Sequence, residues 1–481
     1  MRIGLIIPPS PFLLDERVFP SLGILHVAAA LEQQGQHVDV LDLSGVQNYI
    51  DMVREFVTST NLNRFGITAT TPQLPAATNI SKVIKECNPS AKIAIGGAHP
   101  TSAWAAAKIS DRGKRVLLDL KTSFDVAVVG DGELTLAQAW DTGAKLVIDG
   151  EQAGYPSYLS VEQLDLMPLP ARHLIDLKSY HYSLDGQPAT SMITQRGCPF
   201  KCGFCGGRSS PVMRGLRRLG IQRTVDEMRH LHAAYGYTGM MFFDDEVNVN
   251  SVHLLNLMQA VTELQDSLGV EFRLRGFVKS ELLTAEQATA MHQAGFRWLL
   301  VGFESGSDRI LKAMNKTASQ SDNSRCMDIA RKAGLKVKAL MSVGHPGESA
   351  ESIQETEDWL ISQAPDDIDV TVVSVYPSSP YFDQASERQP GIWTYENEYG
   401  VLHQYAVDYT TTEDYYKGDP NGGAQSMVFT PSLPAEDIVK ARDAVDIKVR
   451  AKLHIPTPTR TASSWKHDGT LKSLMRSTEG T

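Results

Sequence analysis

Three cysteines in the middle of the chain, Cys198, Cys202 and Cys205, have the residue type and spacing to do chemistry. Their C-x3-C-x2-C pattern places three thiols within eight residues, in a glycine-containing loop that follows an apolar run ending near Thr194. Thiolates are soft ligands that favour iron–sulfur clusters, zinc and copper(I). So short a loop can wrap its sulfurs around one inorganic centre, and the spacing therefore indicates a metal or cluster site.

The number of ligands favours a cluster with one open position. Most all-protein iron–sulfur sites use four cysteines, but the two remaining cysteines, Cys87 and Cys326, lie alone in helix-like segments far from the loop. Three ligands on a four-iron cluster leave one iron open, as a catalytic metal site keeps one position open for substrate. Two other interpretations remain at this point: a structural zinc loop without its fourth ligand, and three unrelated thiols.

Strand–helix patterns on both sides of the loop would position it. Residues 1–150 alternate short apolar runs with amphipathic helical patterns, which predicts a Rossmann-like or flavodoxin-like α/β binding domain. Residues 151–188 contain four prolines and no sustained periodicity, which is typical of a linker. Six further strand–helix pairs in residues 189–382 predict a partial, TIM-like (β/α)6 barrel.

The end of the chain has a weaker pattern. Residues 383–454 are polar and rich in aromatic side chains, and we expect an α-rich segment with a capped helix over residues 430–453. A scattered set of aromatic side chains is more often packing than a recognition surface. Residues 455–481 are rich in Ser, Thr and Pro, which predicts a disordered tail.

Composition and charge argue against several classes of protein. The formal net charge of −10 disfavours binding to nucleic acid or to anionic membranes, because both need a basic face. No apolar run approaches the ~18 residues of a membrane span, and Pro8, Pro9 and Pro11 interrupt the apolar start before it reaches signal-peptide length. Five cysteines, three of them clustered, fit a reducing cytosol rather than a disulfide framework, so we expect a cytoplasmic protein.

The cysteine loop, with Phe204 before its last cysteine, resembles the signature of radical S-adenosylmethionine (SAM) enzymes. Over roughly residues 1–455 the chain resembles the subgroup with a cobalamin-binding domain ahead of the radical SAM barrel. The resemblance implies a 4Fe–4S cluster held by the three cysteines, whose open iron binds the amino and carboxylate groups of SAM. It also implies that an electron, supplied by a flavodoxin- or ferredoxin-type donor, cleaves SAM to a 5′-deoxyadenosyl radical.

The resemblance places SAM-binding residues at the ends of the barrel strands. Asp244 and Asp245, which precede Glu246 at the end of the second strand, match the position that receives the ammonium of SAM. A solvated acidic turn is the alternative. Arg275 on the third strand and Glu304 at the end of the fourth match positions that hold its carboxylate and ribose.

Three further features belong to the same family pattern. Gly344 and Pro346 lie in a turn that looks like the one beside adenine, and Phe204 is counted with the SAM-binding residues. Arg273 has the same strand parity as Arg275, so both could face inward. In the turn at residues 376–380 this chain lacks the glycine that relatives often have, which alters the turn.

Three loops after strands of the first domain, ITATTPQ, IGGAHPT and VVGDGE, resemble those that surround cobalamin in the subgroup. Any one of them alone is also explained as an ordinary tight turn, although glycine would let the backbone approach a bulky flat ligand. The cobalamin-binding positions implied by the resemblance are Thr71, Pro72, Gln73, Gly96, Gly97, Gly130, Asp131, Gly132 and Glu133.

The D-x-H-x-x-G motif that supplies a histidine to cobalt in methionine-synthase-like proteins is absent from this sequence. His99 follows the fourth strand, which is the wrong place for that role, and we interpret it as a turn histidine. In the subgroup a residue after the third strand faces cobalt instead, which here is one of residues 71–74. We therefore expect cobalamin without a histidine ligand from the protein.

The resemblance implies that residues 383–454, the variable segment after the barrel, cover the barrel mouth and contact the substrate. It also implies a methyltransferase that acts on an unactivated carbon of a small molecule, such as a biosynthetic intermediate. The radical would abstract a hydrogen atom from the substrate, methylcobalamin would donate its methyl group, and SAM would be used twice. One rival is a ring-forming or oxidising enzyme, which would make deoxyadenosine without a methylated product. A second rival is a regulatory protein that binds the cofactors without turnover and would make no deoxyadenosine.

Overall fold

The structure is a computed structural model. It describes residues 2–13, 15–140, 147–149, 158–413, 415, 425–457 and 467–478. The expectations for residues 141–146 and 150–157, at the boundary between the first domain and the linker, lie outside the described residues. Among the described residues, no helix combines the length and the apolar character needed to cross a membrane.

The first domain is a parallel sheet with helices on both faces. Its strands are β1 (Arg2–Ile7), β2 (His37–Asp42), β3 (Arg64–Thr68), β4 (Lys92–Gly96), β5 (Val126–Val129) and β6 (Val147–Asp149). Its helices are α1 (Leu22–Gln33), α2 (Tyr49–Thr60), α3 (Leu74–Cys87), α4 (Ala98–Ala107), α5 (Asp111–Leu120) and α6 (Leu136–Ala139). The strand order β2-β1-β3-β4-β5-β6 is flavodoxin-like, with the crevice for a ligand where the order reverses. The predicted binding fold is confirmed.

The sheet of the first domain is buried on both faces. Ile3, Leu5 and Ile6 of β1 are fully buried. Such uninterrupted apolar strands are typical of parallel sheets that helices cover on both sides.

The linker packs tightly against both domains. It contains α7 (Val161–Leu166) and leads into β7 (Ser183–Leu184). Arg172 is 1% exposed, pairs with Glu227 at 2.8 Å and donates to the carbonyl oxygen of Ser191 at 2.8 Å. The Tyr180 hydroxyl donates to Asp42 of the first domain at 2.8 Å. These buried polar contacts fix where the linker lies on its neighbours.

The second domain is a curved sheet of six parallel strands, in agreement with the predicted partial barrel. They are β8 (Gln187–Met192), β11 (Gly239–Phe242), β12 (Arg273–Val278), β13 (Phe296–Glu304), β14 (Lys336–Val343) and β15 (Asp367–Val372), adjacent in this order. Between β8 and β11, a two-stranded hairpin of β9 (Gln195–Arg196) and β10 (Arg217–Arg218) encloses the cysteine loop and α8 (Pro211–Arg214).

Helices connect the barrel strands on the outside. They are α9 (Ile221–Tyr235), α10 (Ser251–Leu268), α11 (Ala285–Gln293), α12 (Asp308–Ala313), α13 (Gln320–Lys332) and α14 (Ala350–Gln363). Capping boxes at Thr284, Ser319 and Ser349 begin α11, α13 and α14, which satisfies backbone N–H groups that helix starts leave free. Alternating burial along β12 leaves Arg275 and Phe277 on the other face of the strand from the buried Leu274 and Val278.

The region after the barrel differs from the expected α-rich segment. After the short helix α15 (Pro380–Asp383) comes an antiparallel sheet of β16 (Ser386–Gln389), β17 (Ile392–Asn397), β18 (Gly400–Tyr405) and β19 (Val428–Phe429). Its residues are rich in the aromatic and β-branched types that suit pleated surfaces. The helix expected over residues 430–453 begins later, as α16 (Ala435–Leu453), with Pro434 at its N-cap.

The prediction of a disordered tail is wrong for residues 467–478. They form α17 (Leu471–Leu474) and β20 (Met475–Ser477), and β20 pairs antiparallel with the edge strand β2. The Asn48 amide donates to the Gly469 carbonyl oxygen at 3.1 Å, and the Thr478 hydroxyl donates to Glu32 at 2.8 Å. An open sheet edge offers backbone hydrogen bonds to almost any sequence, which composition does not reveal.

Candidate active site between the two domains

The cysteine loop is held at its start by Asp244. The Asp244 carboxylate accepts hydrogen bonds from the backbone N–H groups of Thr194 and Gln195, at 2.7 and 3.1 Å, and from the Thr194 hydroxyl. Burial raises the pKa of Asp244 to about 7, although the hydrogen bonds from Thr194 act in the opposite direction. This carboxylate therefore has a structural task, and its oxygens already have partners in place of the ammonium that the sequence assigned to it.

The other two acids of this strand end are placed differently. Asp245 is exposed and lines a cavity together with Cys198 and Cys205. Glu246 is largely buried, its Oε2 has no hydrogen-bond partner among the described residues, and burial raises its pKa to about 7. The charge of Lys316 acts against this rise. Asp245 and Glu246 are thus the acids of this triplet that remain available to a cation.

Hydrogen bonds and close packing hold the rest of the cysteine loop against the barrel. The Gly203 N–H donates to the Met314 carbonyl oxygen at 2.7 Å, and a Cβ at Gly203 would lie 2.6 Å from the Tyr381 ring. The Gly207 N–H donates to the Ser378 hydroxyl at 2.7 Å. Ser378 has φ 63°, a left-handed conformation that favours glycine, so this altered turn uses a strained serine to hold the loop.

Glu304 lies at the barrel mouth in a β-bulge, with φ 67°. Its Oε2 accepts a hydrogen bond from the Ser342 hydroxyl at 2.8 Å, and the Lys316 ammonium lies 3.5 Å from its Oε1. Lys316 is 5% exposed at its side chain. Burial lowers the pKa of Lys316, but the nearby charges, Glu304 first, raise it above its ordinary value overall. The carboxylate therefore keeps a fully charged partner within the barrel.

A buried histidine that sequence reasoning missed continues this network. His345 Nε2 lies 2.7 Å from the Ser342 oxygen and its Nδ1 lies 3.2 Å from the Tyr381 hydroxyl. Because Ser342 donates to Glu304, it must accept from His345, which puts the imidazole proton on Nε2. Burial, and then the charge of Lys316, lower the pKa of His345 to about 3. The ring is neutral and orients the serine; only its place after the β14 strand end hinted at this role.

Phe204, Gly344 and Pro346 lie around the same histidine. The Phe204 ring packs edge-on against His345 at 5.4 Å between centroids. Gly344 and Pro346 flank His345 in the chain and are buried, and a Cβ on Gly344 would approach Val428 of β19 at 3.2 Å. The turn predicted to lie beside adenine thus also packs under the sheet that follows the barrel.

The two arginines of β12 contact different residues. Arg273 pairs with Glu271 at 2.8 Å at the beginning of the strand. Arg275 donates to the Tyr182 hydroxyl at 3.5 Å and lies 6.0 Å from the Trp298 ring centroid. Neither contacts Glu304 in the structure. Arg273 and Arg275 share one face of β12, as their parity predicts, and Arg275 lies three residues before the end of the strand.

In the first domain, a cavity of about 250 Å³ opens at the carboxyl ends of β1, β3, β4 and β5. Gly96, Gly97, Gly130, Asp131, Gly132 and Glu133 of the predicted cobalamin-binding positions line it, with His26 among other neighbours. At Gly97, φ is 101° and a Cβ would lie 2.9 Å from the Ala69 carbonyl oxygen. Strand-end placement predicted this cavity correctly.

The loop after β3 lies apart from that set of lining residues. The Gln73 amide donates to the Ser10 hydroxyl at 2.9 Å, and Pro72 is buried beside it. The Thr71 hydroxyl lies 3.1 Å from His99 Nδ1. His99 is fully buried in the first turn of α4, and burial lowers its pKa to about 4. His99 is therefore a core residue and not a turn histidine.

Asp131 and Glu133 join the two domains. Arg196 of β9 donates to Asp131 at 2.9 Å and to Glu133 at 2.6 Å, and Arg217 of β10 also donates to Asp131. Both carboxylates are almost fully buried. Burial lowers the pKa of Arg196, but the charges of Glu133 and Asp131 raise it above its ordinary range overall.

Two of these residues, Asp131 and Arg196, also lie between two cavities. A second cavity of about 320 Å³ lies between the domains and is lined by Cys198, Cys205 and Asp245. Asp131, Ile193 and Arg196 line this cavity and also the cavity of the first domain. The strand ends of the first domain and the cysteine loop of the second therefore face one shared boundary.

Comparison with known proteins decides the family. A model of the radical SAM superfamily matches residues 192–360, and a model of the B12-binding domain matches residues 16–139. The chain belongs to the cobalamin-binding radical SAM enzymes.

Three curated relatives of this radical SAM protein are informative. An uncharacterized methyltransferase of Pyrococcus horikoshii is 24% identical over 80% of this chain and 83% of its own. The anaerobic magnesium-protoporphyrin IX monomethyl ester cyclase of Rubrivivax gelatinosus is 24% identical over 77% and 67%. The hopanoid C-3 methylase of Methylococcus capsulatus is 22% identical over 79% and 72%.

Two solved structures share the fold. The radical SAM methyltransferase TsrM from Kitasatospora setae, with tryptophan and a SAM analogue bound, matches with a TM-score of 0.69 and 18% identity, over 98% of this chain and 93% of its own. The cobalamin-dependent radical SAM enzyme OxsB matches with a TM-score of 0.58 and 15% identity, over 80% and 55%.

The cysteine loop fits a 4Fe–4S cluster. The three thiols lie within one loop of eight residues, and burial raises the pKa of Cys198 to about 11 and that of Cys205 to about 12. Cys326 is buried elsewhere in the core and Cys87 lies beside Arg54. Among the described residues, no His, Cys, Asp or Glu side chains are gathered tightly enough to hold a single ion. Three thiols in one short loop suit a cluster, in which each sulfur binds its own iron.

The shape of the cavity in the first domain fits cobalamin. Its strand-end cavity has a glycine-rich wall that a flat ring can approach. His99, the histidine nearest to the loop after β3, is not among the lining residues and already meets Thr71. Because His26 also lines the cavity, the binding of cobalamin without a histidine from the protein stays a prediction.

Proposed function

We propose that this protein is a cobalamin-dependent radical SAM methyltransferase that methylates an unactivated carbon of a small molecule. The observation that carries the proposal is the shared boundary at Asp131 and Arg196, where the cavity of the first domain and the cavity at the cysteine loop meet. When bound, the cluster and SAM supply a hydrogen-abstracting radical and cobalamin supplies a transferable methyl group. The protein's task is to bring both to one substrate.

We assign the binding of SAM to the barrel mouth. Cys198, Cys202 and Cys205 would hold the cluster, and Asp245 and Glu246 are the acids placed to meet an ammonium group. Glu304 has acceptor oxygens for sugar hydroxyls, and Ser342 and Lys316 fix its orientation.

An aromatic wall is the candidate for contact with the substrate. Phe243 is 47% exposed and lines the cavity between the domains. Its ring packs edge-on against Phe19 of the first domain at 5.2 Å and against Phe277 at 6.4 Å. An exposed aromatic ring in a cavity offers apolar contact to a ligand. The segment after the barrel, residues 383–454, stays our candidate for the substrate-covering region, although none of its described residues lines this cavity.

The cluster needs a one-electron donor, for which we propose a flavodoxin- or ferredoxin-type protein. An oxygen-sensitive cluster and free thiols require reducing surroundings, so we place the reaction in the cytoplasm. The substrate is proposed to be a biosynthetic intermediate.

A ring-forming reaction is the second candidate, because one of the relatives is a cyclase. The test is anaerobic reconstitution with iron, sulfide and cobalamin, followed by incubation with a metabolite extract and SAM that carries a deuterated methyl group. Mass spectrometry of a product with the labelled methyl group supports the methyltransferase. Deoxyadenosine without a labelled product favours ring formation or oxidation, and the absence of both favours a binding protein. Cys202→Ala is the inactive control and Cys87→Ala its matched active control.

A further inference from the structure

The hairpin of β7 and β8 lies across the beginnings of three barrel strands and forms a floor under the barrel interior. Its two strands pair antiparallel through a turn that contains Asp185. The Tyr182 hydroxyl accepts a hydrogen bond from Arg275 of β12 at 3.5 Å, and Asp185 accepts one from Trp298 Nε1 of β13 at 3.3 Å. Lys336, the first residue of β14, lies 3.7 Å from the Asp185 carboxylate. We call Tyr182, Arg275 and Trp298 the barrel floor.

Arg275 is the cation of this floor that lacks a counter-charge. The other cations nearby each have a carboxylate partner: Arg273 with Glu271 at 2.8 Å, Lys336 with Asp185 at 3.7 Å and Lys338 with Asp367 at 2.8 Å. In the part of the chain that the structure describes, no carboxylate lies within ion-pair distance of Arg275, and its buried Nε has no hydrogen-bond partner. A partly buried charge without a partner is costly, so this position fits a ligand that brings a negative charge.

Aromatic rings lead from the barrel floor towards the cysteine loop. Phe277 lies two residues beyond Arg275 on the same face of β12, about 7 Å further along the strand. The Phe243 ring lies 6.4 Å from the Phe277 ring and lines the cavity at the cysteine loop. Phe19 packs against Tyr182 at 4.5 Å and against Phe243 at 5.2 Å between ring centroids. The rings therefore form one apolar wall between the guanidinium and the cavity.

The position of Arg275 is too deep for the carboxylate of SAM. The amino and carboxylate groups of SAM share one carbon atom, so the residues that bind them must lie close together. Asp245, which is placed to meet the ammonium, lines the cavity at the cysteine loop, whereas Arg275 is not among the described residues that line it. In the sheet, Arg275 is level with Met241, four residues before Asp245. Arg275 is therefore available to a second molecule.

We propose that Arg275 binds a carboxylate of the methyl acceptor, and that the substrate is a carboxylic acid with an apolar, planar body that lies along Phe277 and Phe243. This rests on the proposed function and names its substrate class. The planar guanidinium matches a carboxylate in shape, and one unpaired cation balances one negative charge, which favours a carboxylate over a doubly charged phosphate ester. The wall separates the carboxylate from the methylated carbon by on the order of 10 Å.

The binding test uses the reconstituted holoenzyme, with naphthoate as a planar carboxylate probe and naphthamide as its uncharged counterpart. Anaerobic equilibrium dialysis measures both affinities. We expect the wild-type protein to bind naphthoate about tenfold or more tightly than naphthamide, because hydrogen bonds between charged groups are the stronger ones. Arg275→Met should remove this difference. Arg273→Met, which changes the arginine two residues earlier on the same strand face, is the matched control and should keep it.

SAM affinity separates the two possible roles of Arg275. It should be equal in the wild-type protein and in Arg275→Met. A fall in SAM affinity with unchanged naphthoate affinity assigns Arg275 to SAM and overturns the proposal. Equal affinities of the wild-type protein for naphthoate and naphthamide, or the same loss in Arg273→Met, also overturn it. The wild-type comparison decides even where a variant does not fold.

The products formed from a metabolite extract separate this proposal from the proposed function. A product with the labelled methyl group and a carboxylate supports both. A labelled product without a carboxylate supports the proposed function and overturns the substrate class. The absence of any labelled product counts against the proposed function, while naphthoate binding that depends on Arg275 still supports the carboxylate site.

Discussion

Arg196 and Asp131 meet across the boundary between the two domains, with Nη1 and Oδ1 2.9 Å apart. Asp131 lies two residues after the end of β5 in the first domain, and Arg196 immediately precedes the cysteine loop region of the second. With the pairs Arg196–Glu133 and Arg217–Asp131, this ion pair holds the place fit for cobalamin against the place fit for the cluster. Positioning two cofactors on one substrate requires such a fixed relationship, because small displacements of reacting groups cost large factors in rate.

Asp131→Asn should destabilise the junction strongly. The change leaves Arg196 and Arg217 with less compensation in a buried setting, and breaking such pairs costs about 3–5 kcal/mol. Thermal unfolding should shift to lower temperature. Asp111→Asn, which removes an exposed pair with Lys114, is the control and should leave the melting temperature nearly unchanged. Equal melting temperatures for the two variants would contradict the role of Asp131.

Each loop cysteine should be necessary for the cluster. Ala at Cys198, Cys202 or Cys205 should remove the iron–sulfur absorbance and reductive SAM cleavage, since the open iron needs the other three irons held. Cys87→Ala and Cys326→Ala should keep iron and sulfide content normal. Iron and sulfide analysis after anaerobic reconstitution checks this, and a loop variant that forms deoxyadenosine at the normal rate would sink the assignment.

Local spacing in the sequence predicts much of the site, but it does not predict the contacts between residues that lie far apart in the chain. The three cysteines, the six barrel strands and the strand-end cavity follow from spacing and periodicity within short windows. Arg196 and Arg217, which meet Asp131, lie 65 and 86 residues away from it. Nothing local to Asp131 shows those partners, and the resemblance alone assigns its carboxylate to cobalamin.

His345 was missed for a different reason. It lies in a turn whose neighbours, Gly344 and Pro346, drew attention as backbone features. Its bonds to Ser342 and Tyr381 form only when β14 and α15 are brought together. Likewise, the strand formed by residues 475–477 exists because β2 offers an open edge, which no feature of the tail itself predicts.

His99→Ala should leave the spectrum of bound cobalamin unchanged. The imidazole is buried against Thr71 and is not among the residues that line the strand-end cavity. Electron paramagnetic resonance of the cob(II)alamin state is the measurement. Nitrogen coupling that disappears in His99→Ala would show a histidine ligand and overturn the expectation.

His345 should make the fold sensitive to acid. Its pKa is about 3 in the folded state and about 6.5 in the unfolded chain, so the unfolded state binds more protons between these values. Stability is therefore lost as pH falls below about 6.5, by about 1.7 kcal/mol between pH 6.5 and 5 for this group alone. His345→Gln should lower stability at neutral pH and reduce the pH dependence. Denaturant midpoints at pH 7 and pH 5 give the comparison, and an unchanged slope would contradict it.

Glu304→Gln separates SAM binding from structure. The substitution keeps the shape of the side chain and removes its charge, while the bulge and the cluster loop stay in place. If Glu304 accepts hydrogen bonds from the ribose of SAM, SAM affinity should fall by about 1.5–3 kcal/mol, the range for hydrogen bonds to charged groups.

The alternative role for Glu304 is structural, and the structure identifies its partners. The structure pairs it with Lys316 and Ser342 instead of the arginines of β12. A purely structural role predicts a lower melting temperature, because the buried Lys316 loses its counter-charge, with SAM affinity of the folded protein unchanged. Ser342→Ala is the matched control, since it removes one orienting hydrogen bond and leaves the carboxylate. We expect both variants to keep the cluster and only Glu304→Gln to lose most of the SAM affinity; a melting temperature that falls while SAM affinity holds would assign Glu304 to the scaffold.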